Sequence, residues 1–197
     1  MKSPRVQTIL AILCAICLLP ISAVAHTGFG ATIGFVSGFG HPFGGADHML
    51  AMVAVGIWAA QLGGRAICVV PSAFVTMMML GGVLGISGVP VPYIQEGVLV
   101  SVLVLGVFIA GALRFHLAIC AILAGIFAVF HGHAHGAEIP LASGAASYSF
   151  GFALATALLH AVGIAAGVAL QKLKLEKLTR FAGIAVALGG AFLAISQ

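Results

Sequence analysis

Residues 28–62 read GFGATIGFVSGFGHPFGGADHMLAMVAVGIWAAQL. The run is apolar along most of its length, yet inside it lies His41-Pro-Phe-Gly-Gly-Ala-Asp47-His48, which holds the sole aspartate of the chain. As one continuous helix these 35 residues would extend roughly 50 Å, well beyond a bilayer core of about 30 Å, so the element must be broken, tilted or doubled. Pro42 removes a backbone donor and Gly44-Gly45 removes helical preference, which places the break inside the polar motif itself. Ahead of it, Gly30, Gly34 and Gly38 form a small-residue ridge at four-residue spacing, suited to close packing against a neighbouring helix.

The rest of the chain fits the same environment. Of 197 residues, 62% are hydrophobic and 6% charged, with a mean hydropathy of +1.24. Soluble domains carry about 25% charged residues, so the fold class expected is all-α, a polytopic transmembrane helix bundle. The sequence pI of about 9.1 comes from few basic residues at topological positions, not from a stripe that would bind nucleic acid.

Residues 1–25 read as a secretory signal, with Lys2 and Arg5 ahead of an apolar stretch and Ala23-Val24-Ala25 as the cleavage site; residues 26–197 then form a single transmembrane domain. Five further segments, near 66–86, 93–112, 115–131, 145–170 and 179–196, have spanning or near-spanning length. If 28–62 crosses once, Arg65, Arg114 and the Lys172–Arg180 connection all fall on one side, which the positive-inside rule makes cytoplasmic. Two full crossings would reverse every one of them. The expectation is therefore about six crossings of a bacterial inner membrane, with the mature N- and C-termini periplasmic and the 131–140 connection facing incoming solute. Cys68 and Cys120, isolated in apolar stretches, read as buried inert thiols.

A charged carboxylate near mid-bilayer costs on the order of 2.5–3.5 kcal/mol, so Asp47 needs a partner or a task. Imidazole with carboxylate suits Ni, Zn, Co or Cu(II), whereas Mg or Ca would want more oxygen ligands than four acids readily build. His41 and His48 would stand roughly 10.5 Å apart on an unbroken helix, too far for one ion, whereas a break at Pro42/Gly44-Gly45 can fold them together. The second cluster is His131-Gly-His133-Ala-His135-Gly-Ala-Glu138. Either a helix, with His131 and His135 at i, i+4, or an extended loop would gather its ligands. His26 and His160 are candidate additional ligands: signal cleavage would place an α-amine beside the His26 imidazole, and His160 lies in the middle of an apolar span. Glu96 follows Pro92 in the first turn of a helix and reads as a dipole partner, and Met77-Met78-Met79 as packing residues.

Taken together, His-Pro-x-x-Gly-x-Asp-His at 41–48, the following Leu50–Gln61 run and Phe130-His-Gly-His-Ala-His-Gly-Ala-Glu138-Ile-Pro140 closely resemble the HupE/UreJ family of hydrogenase and urease accessory membrane proteins. The resemblance covers essentially the whole mature chain, and both family motifs are intact. It implies nickel uptake, with cobalt transport in some relatives, and carries metal roles to His41, Asp47, His48, His131, His133, His135 and Glu138. No catalytic cofactor is expected; Ni(II), or Co(II), is the cargo. With no Walker A sequence, the expected activity is a secondary permease, not an enzyme. The competing readings are an intramembrane metalloenzyme with a His/Asp/Glu-bound Zn and a non-transporting metal-binding accessory protein. Partners are the lipid bilayer and the ion; a homo-oligomer is left open.

Overall fold

The computed structural model describes residues 31–139 and 144–196. The signal segment, its cleavage site, His26 and Gly30 lie outside the described residues, where seven α-helices and no strand are found. They are α1 (Ala31–Gly40), α2 (Ala46–Leu62), α3 (Ala66–Ile86), α4 (Ile94–Gly111), α5 (Leu117–Glu138), α6 (Ala145–Lys172) and α7 (Glu176–Ile195). Helices α3 to α7 are each long and apolar enough to cross a membrane, and α1 with α2 makes a sixth, broken crossing bent by 80°. A 3-10 turn, His41–Phe43, carries Pro42 at the break. Val36, Leu80, Ile122, Phe150, Leu188 and Phe192 stand on the outside, as lipid contact requires. The chain is a multi-pass membrane protein.

Without a hydrophobic drive between helices in lipid, close backbone approach must hold the bundle, and glycine permits it. Helix α3 runs parallel to α5 with contacts advancing in step: a Cβ on Gly81 would strike the Val129 carbonyl, one on Gly132 the Met78 carbonyl and one on Gly136 the Gly82 carbonyl. Gly106 and Gly183 seat α4 against α7 in the antiparallel sense.

The broken crossing is splinted by α6, the longest helix at 28 residues. Gly34 and Gly38 of α1 lie against Gly144, Ser147 and Tyr148, while Gly56 of α2 lies against His160 and Gly163. Both halves therefore follow α6 in the same direction, one after the other. That is a single interrupted crossing, and Gly34 and Gly38 act as the ridge expected of them.

All six Lys and Arg of the described residues gather at one end. Arg65 and Arg114 border one crevice, and Gln171, next to Lys172, donates to the Ala60 carbonyl at 2.8 Å. Trp58 Nε1 donates to Leu113 at 3.4 Å and Gln61 Nε2 to Ile109 at 3.1 Å, tying the foot of α2 to α4 at this end. Gly63, with φ 75°, closes α2 there by donating to the Ala59 carbonyl.

Two expectations change. Helix α5 does not end near 131 but runs through the second motif to Glu138, because Gly132 and Gly136 let that last stretch pack against α3. Cys120 is buried, its Sγ donating to the Phe115 carbonyl, whereas Cys68 is exposed on the outer face of α3.

Candidate metal centre

The break at Pro42 to Gly45 turns the chain so that His41 and His48 face the same stretch of α5. A helical His131 and His135 share one side of α5, and both point at that turn. The His48 ring lies 4.1 Å from that of His135 and 4.7 Å from that of His131, centroid to centroid, while His41 meets His135 edge-on at 4.5 Å. His41 Nε2 is 3.4 Å from a Glu138 carboxylate oxygen. The two motifs, some ninety residues apart in the chain, form one cluster.

Asp47 occupies the first turn of α2, where a carboxylate faces the positive end of the helix dipole. Its Oδ1 accepts two hydrogen bonds from His48, from the backbone N–H at 2.8 Å and from Nδ1 at 2.8 Å. A carboxylate accepts, so Nδ1 carries the proton and Nε2 keeps its lone pair. Buried His48 Nε2 has no partner in the protein. Carboxylate, histidine and free ring nitrogen in series is the arrangement that fixes the tautomer of a metal-binding imidazole.

His131 is set the same way by a different residue. Ser101 of α4 donates its hydroxyl to the Val98 carbonyl at 2.6 Å, so toward His131 Nε2, 2.8 Å away, it can only accept. That bond holds the proton on Nε2 and leaves the fully buried Nδ1 with its lone pair and no partner. In His135 both ring nitrogens are buried and unpartnered. Each buried polar group left unsatisfied costs about 1–3 kcal/mol. Several in one cluster form a set of free lone pairs of the kind a transition metal accepts.

The outer rim is wetter. His41, His135 and Glu138 can offer three ligand atoms within 4.8 Å of one another, and the Glu138 side chain is 63% exposed. Ligands on opposite sides of one ion at about 2.1 Å stand at most roughly 4.2 Å apart, so modest side-chain movement closes this triad. Beside it, His135, Tyr148 and Phe152 border a cavity of about 20 Å³, room for a single water. Phe152 covers the cluster from α6, its ring 4.3 Å from His135.

The family described as HupE / UreJ protein matches residues 14–193. The chain belongs to the HupE/UreJ family. This HupE/UreJ chain is also 45% identical to Protein HupE of Rhizobium leguminosarum bv. viciae, over 99% of its own length and 100% of the relative's. No solved structure matches it.

Of the residues singled out in the HupE/UreJ motifs, His41, Asp47, His48, His131, His135 and Glu138 come together. His133 does not join them: on the opposite side of α5, its Nε2 donates to the Val89 carbonyl at 2.7 Å and ties the α3–α4 loop to α5. His160 is buried below the cluster, edge-on to Phe74 at 5.1 Å. His26 lies outside the described residues. Sequence reasoning missed Ser101, a lone serine in an apolar span with no local motif around it. Its one signal was polarity where lipid-facing or packing residues are the rule. Phe74 and Phe152 carried no signal at all, being ordinary apolar residues whose role is set by what they face.

Proposed function

We propose that this HupE/UreJ protein is a secondary, non-ATP transition-metal permease that moves Ni(II), with Co(II) as the alternative cargo, from periplasm to cytoplasm for maturation of a metalloenzyme such as a hydrogenase or urease. One observation carries the reading: four histidines, an aspartate and a glutamate from two distant motifs converge inside a membrane bundle, with buried ring nitrogens left free. Nitrogen-rich donors with carboxylates suit Ni(II) and Co(II) better than hard cations. By the positive-inside rule the basic end faces the cytoplasm, so the cluster faces the periplasm and both mature termini are periplasmic.

Capture begins at the half-exposed rim, where His41 and Glu138 exchange hydration water for imidazole and carboxylate. His135 touches both His41 and His48, so it passes the ion from the rim to the dry part of the cluster. There His48 and His131 present preset lone pairs, and the negative Asp47 balances part of the charge of the ion. Selection comes from the donor set, and release requires that no single stop bind too tightly.

Uptake of radioactive nickel by cells expressing the wild-type chain or Asp47→Asn tests the proposal. Accumulation by the wild type and its loss in the variant is the expected result. A wild-type chain that accumulates no nickel would sink the permease reading, and flux into proteoliposomes decides whether the chain suffices alone.

A further inference from the structure

Below the cluster, one face of α6 carries one more imidazole. Tyr148, Phe152, Thr156 and His160 recur at four-residue intervals and stack as successive turns. Phe152 touches His41 and His135, and His160 lies about 12 Å further along the helix toward the basic end. On α5 the order is the same: Glu138, then His135, then His131, descending. His131 and His160 share one neighbour, Phe74, whose ring centroid is 5.6 Å from the first and 5.1 Å from the second. One aromatic side chain links the last ligand of the cluster to the next imidazole below it.

His160 is 1% exposed, and neither Nδ1 nor Nε2 has a hydrogen-bond partner. A histidine kept for structure in such surroundings would bond a carbonyl or hydroxyl. Thr156, one turn away on the same face, donates its hydroxyl to Met78 Sδ at 3.6 Å and makes no bond to His160. On its other side His160 borders a crevice of about 360 Å³ between α3 and α6, into which Ser72 and Thr76 also face. Pro71 lines the same crevice, and because it has no N–H the carbonyl of Ile67 lacks its helical partner. Imidazole and hydroxyl groups thus line one crevice that opens at the surface of the bundle.

We propose that His160 is a second transition-metal station, inward of the histidine–carboxylate cluster, where a Ni(II)-class ion is held by one imidazole with hydroxyl or water oxygens before release. The inference rests on the permease reading. A station with one nitrogen ligand and no carboxylate binds more weakly than the cluster above it, which is what onward movement needs.

The test uses the full chain purified in detergent, titrated with Ni(II), alongside nickel uptake by cells, for the wild type, His160→Phe and His160→Gln. The wild type is expected to show two classes of site. Both variants should lose the weaker class, keep the stronger within about twofold, and lose uptake by roughly tenfold or more. His160→Phe is the informative variant, because a packing role would be preserved by phenylalanine against Phe74. Persistence of the weaker class in both variants, wild-type uptake by His160→Phe, or loss of the stronger class in both would each overturn the proposal. If the wild type binds at two classes but accumulates no nickel, the permease reading fails while the second site stands. If wild type and variants accumulate nickel alike, the second station fails and the permease reading stands.

Discussion

Pro42 and Pro71 both stand in apolar runs of spanning length, yet only the first interrupts its helix. Pro71 is the sixth residue of α3, which continues unbroken to Ile86. Its cost, up to about 3 kcal/mol relative to alanine, is confined to one missing donor and the freed Ile67 carbonyl. Packing of α3 along α5, through Gly81, Gly132 and Gly136, holds the helix on course. Pro42 acts together with Gly44 and Gly45, and the three residues together disfavour a helix by about 5 kcal/mol. The 3-10 turn recovers one bond, from Gly44 N–H to the His41 carbonyl at 2.9 Å, and Gly45 then starts α2 from an extended conformation. A proline alone bends or is tolerated; proline with paired glycines makes a corner. Only the corner places histidines on both of its arms.

The strongest way to break that contrast is to turn the corner back into a helix. Replacing Pro42, Gly44 and Gly45 together by alanine should separate His41 from His48 by about 10.5 Å. Nickel affinity, measured by titration calorimetry, is then expected to fall by roughly a hundredfold or more, with helicity by circular dichroism retained or increased. Next in size is Asp47→Asn, which keeps the corner but replaces the carboxylate that fixes the His48 tautomer. Affinity should drop by about 10–100-fold. Removal of the Ser101 hydroxyl comes third: Ser101→Ala leaves His131 Nε2 without its acceptor, and affinity is expected to fall about tenfold with stability down by about 1–3 kcal/mol, whereas Ser101→Thr should recover most of both. The smallest effect belongs to Pro71. Pro71→Ala should leave affinity of the cluster within about twofold and thermal stability unchanged or higher, since the regained N–H pairs with Ile67. A collapse of nickel binding in Pro71→Ala would mean that the two prolines are not different in kind.

Much of this was legible in the chain itself because membrane spans are read from composition. The bounds of α3, α4 and α7 fall close to those expected from hydropathy, and the break in the first crossing was placed at the proline and glycines that make it. Charge placement favoured a single broken crossing, and the stepwise contacts of α1 and α2 along α6 bear out that choice. Helix α5 extends past the end that composition suggests, near 131, for a physical reason. Histidine and glycine are poor helix formers in water, but in α5 the glycines are packing surfaces, and contact with α3 outweighs propensity. The same contact decides the fate of the three histidines. Spacing puts His131 and His135 on one face and His133 on another; whether a helix or a loop carries them is not written locally.

What the sequence determined by itself is the solvent and the chemistry. Sixty-two per cent apolar residues require a bilayer, and the few ionisable side chains left within it require a partner; imidazole with carboxylate is a donor set suited to a transition metal. What only the tertiary structure decided is which of those side chains meet. Asp47 and His48 are neighbours in the chain, but His131 and His135 reach His48 from α5 and Ser101 reaches His131 from α4, through backbone approaches that glycine allows and no local pattern announces. Local rules set where a helix breaks and which face a residue occupies. Which faces come together is set by packing between distant segments, and that is where the six clustered side chains, the outward turn of His133 and the unpartnered His160 were settled.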